Sequence, residues 1–195
     1  VDLRGTRRQD ITRSRGDAVR DKNFSEKRNA ALVAFCRCAG PRRAELEALK
    51  ADALEYYDGK PYIHYTAGTK GGRPRLSPLV GSPEEVAQAV EYIKTLTGNN
   101  HVHSAADIHG YRADYATRVY NAAKGDLRAL KGQKMDYTAL TGKRHPDGSK
   151  IEKSALYYCR GDRAGEVFDR QAMIKASQAL GHNRESVVGE HYIRS

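Results

Sequence analysis

The sequence predicts an α+β domain that is mainly helical and contains one small three-stranded antiparallel sheet. Runs with helical periodicity and capping signals occupy residues 25–49 and 83–122 and return near the end of the chain. Between the first two of these helical regions lie three short runs that are rich in aromatic and β-branched residues and are separated by glycine-containing turns. The 195 residues, 39% of them hydrophobic, are enough for one compact domain with a large share of surface and loop.

The first predicted helix follows a basic segment. Residues 1–24 are rich in arginine and poor in apolar residues, which predicts a basic lead-in or linker before a domain over 25–195. Ser25 is the predicted cap of a helix that runs to about Cys38, and Gly40 is expected to end it.

A second helix and the sheet come next. The second helix is predicted from Arg42 to about Leu49, because Pro41 suits the first turn of a helix. The periodicity then changes, and we predict three strands, over Ala53–Tyr57, Tyr62–Thr66 and Leu76–Val80. An Asp-Gly turn and a glycine-rich stretch over 68–74 join these strands as two hairpins, which gives the antiparallel sheet.

Two further helices are predicted from their capping signals. Ser82 and Glu85 frame a capping box with proline at the first helical position, which predicts a helix over 83–97. A second capping-type signal begins at Ser104, and its helix is expected to end near Ala122. The buried stripe of that helix should consist of Ile108, Tyr111, Tyr115 and Val119.

The stretch 123–167 interrupts the pattern with glycines, many charges and two small apolar patches, and it predicts an insertion with a β-ribbon. Contact with DNA, contact with a neighbouring subunit and plain surface all stay open for this insertion. Helical spacing then returns, with Met173 and Leu180 on one face and Gly181 at a left-handed C-terminal position. A short last helix is expected to bring Tyr192 close to a histidine.

Charge and cysteine content narrow the class of protein. The formal net charge is +10 and the sequence pI is about 9.6. A polyanionic partner, nucleic acid before membrane, is typical of such a chain, although a merely soluble basic domain fits the charge equally well. The three cysteines form no disulfide framework, which predicts a cytoplasmic location. No apolar run approaches the ~20 residues of a membrane span, so no membrane partner is expected.

Six residues share a chemistry suited to phosphoryl transfer. They are Arg42, Lys70, His109, Arg112, His182 and Tyr192. Two arginines from different helices can each grip two oxygens of one phosphate and stabilise its transition state without a metal or cofactor. His109 lies one helical turn before Arg112, where a neutral imidazole can take or donate a proton. Lys70 sits at a hairpin tip and can protonate a departing sugar oxygen, while Tyr192 attacks phosphorus to give a covalent phosphotyrosine.

The order of these residues resembles the pattern of the tyrosine recombinase, or phage integrase, family. The matching motifs are Arg42-x-x-Glu45-Leu46, a hairpin lysine, His109-x-x-Arg112, Leu180-Gly181-His182 and a final tyrosine. The resemblance covers residues 25–122 and 169–192, which would be the family's catalytic domain, and the basic character is similar to integrases of conjugative transposons. Pro41 stands where the family usually has leucine, and the insertion over 123–167 replaces a short turn.

The resemblance implies a function and a set of partners. The function would be site-specific recombination, the integration or excision of a mobile element, by cleaving and rejoining duplex DNA through a 3′-phosphotyrosine. The implied partners are a double-stranded recombination site, further copies of the chain that form a tetramer on DNA from free monomers, and an accessory directionality factor. The resemblance implies no cofactor and no metal.

Neighbouring basic residues are candidates for contacts with the DNA backbone. Arg43 rivals Arg42 for the catalytic role, although Arg42 keeps the spacing to Glu45, which we expect to support the helix and orient an arginine. The DNA-binding candidates are Arg43, Arg73, Arg75 and Arg184.

Three alternative functions stay open. Type IB topoisomerases share the chemistry of arginine, lysine, histidine and tyrosine and are the nearer alternative. His101 and His103 form a pair of the kind that metal-dependent relaxases use beside a tyrosine, but the pair falls in a loop without a well-spaced third ligand. The remaining class is a DNA-binding scaffold without catalysis.

Overall fold

The computed structural model describes residues 24–182 and 184–193, so residues 1–23 of the expected basic lead-in lie outside the described part of the chain. The described residues form an α+β structure with seven α-helices, one three-stranded antiparallel sheet and two two-stranded ribbons. The helices are α1 (Ala30–Ala39), α2 (Arg43–Ala48), α3 (Pro83–Ile93), α4 (Ile108–Ala123), α5 (Tyr137–Thr141), α6 (Arg170–Ala179) and α7 (Glu185–His191). The strands are β1 (Leu54–Tyr57), β2 (Lys60–Tyr65), β3 (Arg75–Pro78), β4 (Lys134–Asp136), β5 (Glu152–Ser154), β6 (Leu156–Tyr158) and β7 (Val167–Asp169). The general fold class and the three-stranded sheet are thus confirmed.

The chain divides into two compact units, and the boundary falls between Tyr115 and Ala116, inside α4. The first unit contains α1 to α3, the sheet of β1 to β3 and the start of α4. The second unit contains the rest of α4, both ribbons and α5 to α7. No helix among the described residues is long and apolar enough to cross a membrane.

Local signals position the first unit's elements. Gly40 ends α1 in the left-handed conformation with φ 58°, as expected, and a Cβ atom there would lie 2.2 Å from the Tyr115 ring. The turn between β1 and β2 has positive φ at both Asp58 and Gly59, which is the geometry of a tight two-residue hairpin. Buried apolar side chains of α1, α2, β2 and α3 then form one core; examples are Phe35, Leu46, Ile63 and Ile93.

Several boundaries differ from the sequence-based expectation for identifiable reasons. Helix α1 starts at Ala30 and not near Ser25, because Asn29 has φ −114° and ψ 31°, outside the helical region. Helix α3 stops at Ile93 because the N–H groups of Thr95 and Leu96 bond to carbonyls three residues back, which tightens the chain into a 3₁₀ turn. The cap of α4 is Asp107, whose Oδ1 accepts a hydrogen bond from the Gly110 N–H at 2.9 Å.

The second unit contains the β-ribbon that was expected within 123–167, and a second one beside it. Strand β4 pairs with β5 and strand β6 pairs with β7, both antiparallel. Asp136 caps α5 and Asp169 caps α6 through their side-chain oxygens. Gly181 follows α6 with φ 70°, the expected left-handed conformation, and the chain turns there towards α7.

Candidate functional site

Glu45 lies at the centre of a group of charged side chains in the first unit. Its fully buried carboxylate accepts hydrogen bonds from Arg42 Nη1 at 2.7 Å and from Arg75 Nη2 at 2.6 Å. The Arg42 backbone N–H also donates to Glu45 Oε2 at 2.7 Å and so closes the first turn of α2. Glu45 therefore supports the helix start and orients Arg42.

Arg112 reaches the same place from α4. Its Nη1 donates to the carbonyl oxygen of Gly40, which also accepts from Arg75 Nη2 at 3.2 Å. Arg112 is only 4% exposed, so the fold holds its guanidinium firmly. Three arginines, Arg42, Arg75 and Arg112, thus gather around the Glu45 carboxylate and the Gly40 carbonyl, and we call this group the arginine cluster.

Arg75, one of the DNA-binding candidates, is buried and bonded to other residues of the first unit. Its guanidinium lies 4.0 Å from the Tyr65 ring centroid and donates to Ser77 Oγ at 3.0 Å, in addition to its bonds in the arginine cluster. The residue is 8% exposed. Cation–π stacking and ionic hydrogen bonds together fix its plane.

Arg43, the alternative to Arg42 for the catalytic role, donates hydrogen bonds to the loop before α4. Its Nη1 lies 3.2 Å from the Val102 carbonyl oxygen and 3.0 Å from that of His103, and its Nη2 lies 3.0 Å from that of Ala106. The same Nη2 also donates to Ser104 O at 3.3 Å. The guanidinium of Arg43 is therefore bonded to loop carbonyls. Arg42, and not Arg43, lies with Arg112 in the arginine cluster.

The remaining predicted residues of the first unit lie on its surface. Lys70 is exposed and begins a 3₁₀ turn, Lys70–Gly72, between β2 and β3. Arg73 follows this turn and is exposed as well. His109 is exposed in the first turn of α4, three residues before Arg112. In the second unit, the DNA-binding candidate Arg184 is exposed just before α7.

The second unit brings the predicted histidine and tyrosine together. The rings of His182 and Tyr192 lie 5.2 Å apart between centroids and are tilted by 47°. The His182 backbone N–H donates to the Ser177 carbonyl at 2.8 Å, and the Ser177 hydroxyl donates to the His182 carbonyl at 3.1 Å. Tyr192 is 8% exposed at the end of α7, so its ring is largely enclosed.

Two residues that the sequence analysis did not select, Arg163 and Glu185, hold the two ends of α7. Glu185 is a buried carboxylate in the first turn of the helix, and acidic residues are typical of that position. Arg163 comes from the loop between β6 and β7 and bonds to main-chain carbonyls 26 and 30 residues further along. No local pattern in the sequence signals such a contact.

The histidine pair on which the relaxase alternative depends lies in the loop before α4. His103 Nδ1 accepts a hydrogen bond from the Ala105 N–H at 3.1 Å, and its ring lies 5.4 Å from that of Phe24. His101 is exposed in the same loop. Within residues 24–182 and 184–193, no group of three or more His, Cys, Asp or Glu side chains is arranged to hold a metal ion.

Comparisons with protein-family models, curated proteins and solved structures find no match to this chain. The residues that bear on function are therefore the arginine cluster in the first unit and the His182–Tyr192 pair in the second.

The arginine cluster has a consequence for acid stability. Burial by itself raises the pKa of the Glu45 carboxyl, but the bonded Arg75 guanidinium, the Arg42 N–H and the charge of Arg112 outweigh it and leave the pKa below its usual range. A carboxyl of this kind stabilises the fold above its unfolded pKa, about 4.3. That stabilisation is lost as the pH falls through the lower, folded-state pKa.

We expect Glu45→Gln to lower the free energy of unfolding by about 3 kcal/mol at neutral pH, because it leaves buried guanidiniums without their carboxylate. The variant should also lose less stability than the wild type between neutral and acidic pH. Urea unfolding at a series of pH values measures both effects. Glu91→Gln is the matched control, since Glu91 pairs with Lys94 on the surface and should change stability by less than about 1 kcal/mol. The same acid dependence in the wild type and Glu45→Gln would contradict the expectation.

Proposed function

We propose that this chain is the catalytic domain of a tyrosine-type site-specific recombinase, with the fold of that family. It cleaves one strand of duplex DNA, keeps the 3′ end as a phosphotyrosine and joins that end to a new 5′-hydroxyl. Integration or excision of a mobile element, by a tetramer assembled on the DNA recombination site, is the corresponding biological role.

The observation that carries the proposal is the arginine cluster. Arg42, at the start of α2, and Arg112, in α4, both bond to the Glu45–Gly40 pair, so two guanidiniums lie at one place in the first unit. Glu45 and the Gly40 carbonyl hold the two guanidiniums in fixed positions, so their planes are set before a ligand binds. A phosphodiester oxygen is an anion that suits the planar donor fork of arginine.

The proposed reaction needs a nucleophile, a base, an acid and two cationic groups that stabilise the phosphate. The Tyr192 hydroxyl oxygen forms a bond to phosphorus while the bond from phosphorus to the 5′-oxygen breaks. The phenol proton passes to a base, for which a neutral imidazole is suited, and Lys70 gives a proton to the departing 5′-oxygen. Arg42 and Arg112 stabilise the negative charge of the pentavalent transition state. In the reverse step a 5′-hydroxyl attacks the phosphotyrosine and releases Tyr192.

A pool of duplexes with randomised sequence, each nicked near its centre, tests the proposal without knowledge of the DNA site. The short strand released by cleavage diffuses away, so a covalent protein–DNA adduct accumulates and survives denaturing electrophoresis. Sequencing the trapped DNA then gives the preferred site. The absence of any adduct across the pool would contradict the proposal. With the selected site, strand exchange between two labelled duplexes indicates a recombinase, whereas relaxation of supercoiled DNA without exchange indicates a type IB topoisomerase.

Lys70→Ala should slow cleavage when the leaving group is an ordinary 5′-oxygen, by about 10²-fold or more, because that oxygen leaves poorly without an acid. A 5′-bridging phosphorothiolate leaves without protonation, so the same variant should cleave it at nearly the wild-type rate. The measurement is the single-turnover rate on both substrates.

Lys60→Ala is the matched control for this prediction, because Lys60 begins β2 at the opposite hairpin and is also exposed. It should leave both rates unchanged. An equal defect of Lys70→Ala on the two substrates would move the acid role to another residue, with His109 as the first candidate.

A further inference from the structure

Helix α7 is too short to hold its own position. It contains seven residues, Glu185–His191, and isolated helices shorter than about 12 residues are marginal in water. Its place in the second unit must therefore come from contacts with other elements. Gly189 allows one of them, because a Cβ atom there would lie 2.6 Å from Met173 Cε of α6. The position of Tyr192, directly after α7, depends on all these contacts.

The start of α7 is anchored through Glu185. Its carboxylate accepts hydrogen bonds from Tyr137 Oη at 3.0 Å, from Lys153 Nζ at 3.3 Å and from Arg170 Nη1 at 3.3 Å. Burial raises the pKa of this carboxyl, but its own N–H, Lys153 and Tyr137 outweigh burial and lower it. Tyr137 and Lys153 belong to the stretch 123–167, and Arg170 begins α6.

The end of α7 is anchored through Arg163. Its Nη1 donates to the Gly189 carbonyl at 2.5 Å and to the Ile193 carbonyl at 2.7 Å. The last carbonyls of a helix lack intrahelical partners, and a cation beside them also interacts favourably with the helix dipole. Because Gly189 and Ile193 flank Tyr192 in the chain, one guanidinium restrains the backbone on both sides of the tyrosine.

Arg163 is itself held rigidly enough to serve as an anchor. Its Nε donates to Glu166 Oε1 at 2.7 Å, and its Nη2 donates to Glu166 Oε2. Its guanidinium also lies 5.1 Å from the Phe168 ring centroid of β7. The ring of Phe168 packs edge-on against Tyr120 of α4 at 5.5 Å. The loop between β6 and β7 is thereby tied to both α4 and α7.

We infer that Arg163 is a positioning residue for the tyrosine nucleophile, and that the β6–β7 loop acts as a clamp on the end of α7. This inference rests on the proposed function of Tyr192. Since Arg163 lies within the stretch 123–167, this stretch would then contribute to catalysis and would not be plain surface. Arg163 acts through the main chain and touches neither DNA nor the reacting atoms.

The test compares Arg163→Ala and Arg163→Lys with the wild type, using the full chain and the nicked, randomised duplex pool in single turnover. A one-ångström misplacement of a reacting group can cost about 10²-fold in rate, so we expect the rate constant of adduct formation to fall about 10- to 100-fold in Arg163→Ala. Arg163→Lys should lie between, because an ammonium can reach a carbonyl but cannot also form the fork with Glu166. DNA affinity should stay unchanged in both.

The amplitude of the reaction separates positioning from simple loss of folding. A purely structural role lowers the amount of active protein and hence the amplitude, with an unchanged rate constant; lost positioning lowers the rate constant at full amplitude. Arg160→Ala is the matched control, because Arg160 lies in the same loop and is exposed. It should match the wild type in both quantities.

Four outcomes would overturn the inference. An unchanged rate constant in Arg163→Ala, or a lowered amplitude alone, removes the positioning role and leaves the proposed function intact. If Arg163→Ala does not fold, a wild-type rate constant in Arg163→Lys removes the positioning role in the same way. If the wild type forms no adduct, the proposed function fails, and the inference fails with it.

Discussion

Tyr192→Phe is expected to abolish the covalent protein–DNA adduct while DNA affinity stays at the wild-type level. The side chain is 8% exposed and its ring packs against His182, and a phenyl ring keeps this packing. The substitution removes one oxygen atom, which in the proposed reaction is the nucleophile. The proposed reaction uses no second nucleophile, so no adduct is expected once this oxygen is removed.

The measurement combines the adduct assay with a DNA-binding titration and a thermal melt. Tyr120→Phe is the matched control, since Tyr120 is a buried tyrosine of the same unit whose hydroxyl accepts a hydrogen bond from the Asp169 N–H at 3.0 Å. It should lose about 1 kcal/mol of stability and still form the adduct. An adduct that persists in Tyr192→Phe would assign the nucleophile to another residue.

Arg112→Ala is expected to lower the rate of cleavage by about 10²- to 10³-fold, the usual effect of removing one group that stabilises a charged transition state. Arg112→Lys should recover little of this loss. An ammonium keeps the charge but has no planar fork with which to hold the Gly40 carbonyl and a phosphate oxygen at once. The rate is measured in single turnover, at a temperature where melting curves show both variants to be folded.

Arg37→Ala controls for the loss of an arginine from the first unit. Arg37 pairs with Glu26 and Asp114 and lies 5.2 Å from the Tyr111 ring centroid, so it resembles Arg112 in being held by several contacts. Its removal should lower stability without changing the rate constant of the folded protein. Cleavage by Arg112→Ala within a few-fold of the wild type would exclude Arg112 from the phosphate clamp.

The parts of the fold that sequence could predict are those set by local chemistry. The capping box at Ser82 starts α3, and left-handed glycines end α1 and α6, because caps and positive φ angles depend on a few neighbouring residues. The hairpin at Asp58-Gly59 follows from the same kind of signal. Exact boundaries were harder, since whether a last turn is α or 3₁₀ depends on packing.

The parts that sequence could not predict depend on contacts between distant residues. The position of Arg75 beside a glycine-rich hairpin predicted that its side chain is exposed. The pairing of β2 with β3 instead turns the side chain towards Glu45 and buries it. Arg163 donates hydrogen bonds to two main-chain carbonyl groups at the end of α7. Every residue has such a carbonyl, so residue type does not reveal these partners. Part of the arginine cluster could be predicted from local spacing. Arg42 and Glu45 share one helical turn, so their three-residue spacing predicted that Glu45 orients Arg42.

The proposed attack of Tyr192 without a metal ion is tested most directly by finding which end of the cleaved strand carries the protein. The measurement is made with and without EDTA. A nicked duplex is labelled first on one side of the cleavage site and then on the other, and the adduct is followed on a denaturing gel. If two arginines stabilise the transition state and Tyr192 attacks, the adduct should retain the 3′ end, leave a free 5′-hydroxyl and form equally well in EDTA. An adduct on the 5′ end that disappears in EDTA would contradict the account and assign the reaction to a metal-dependent relaxase.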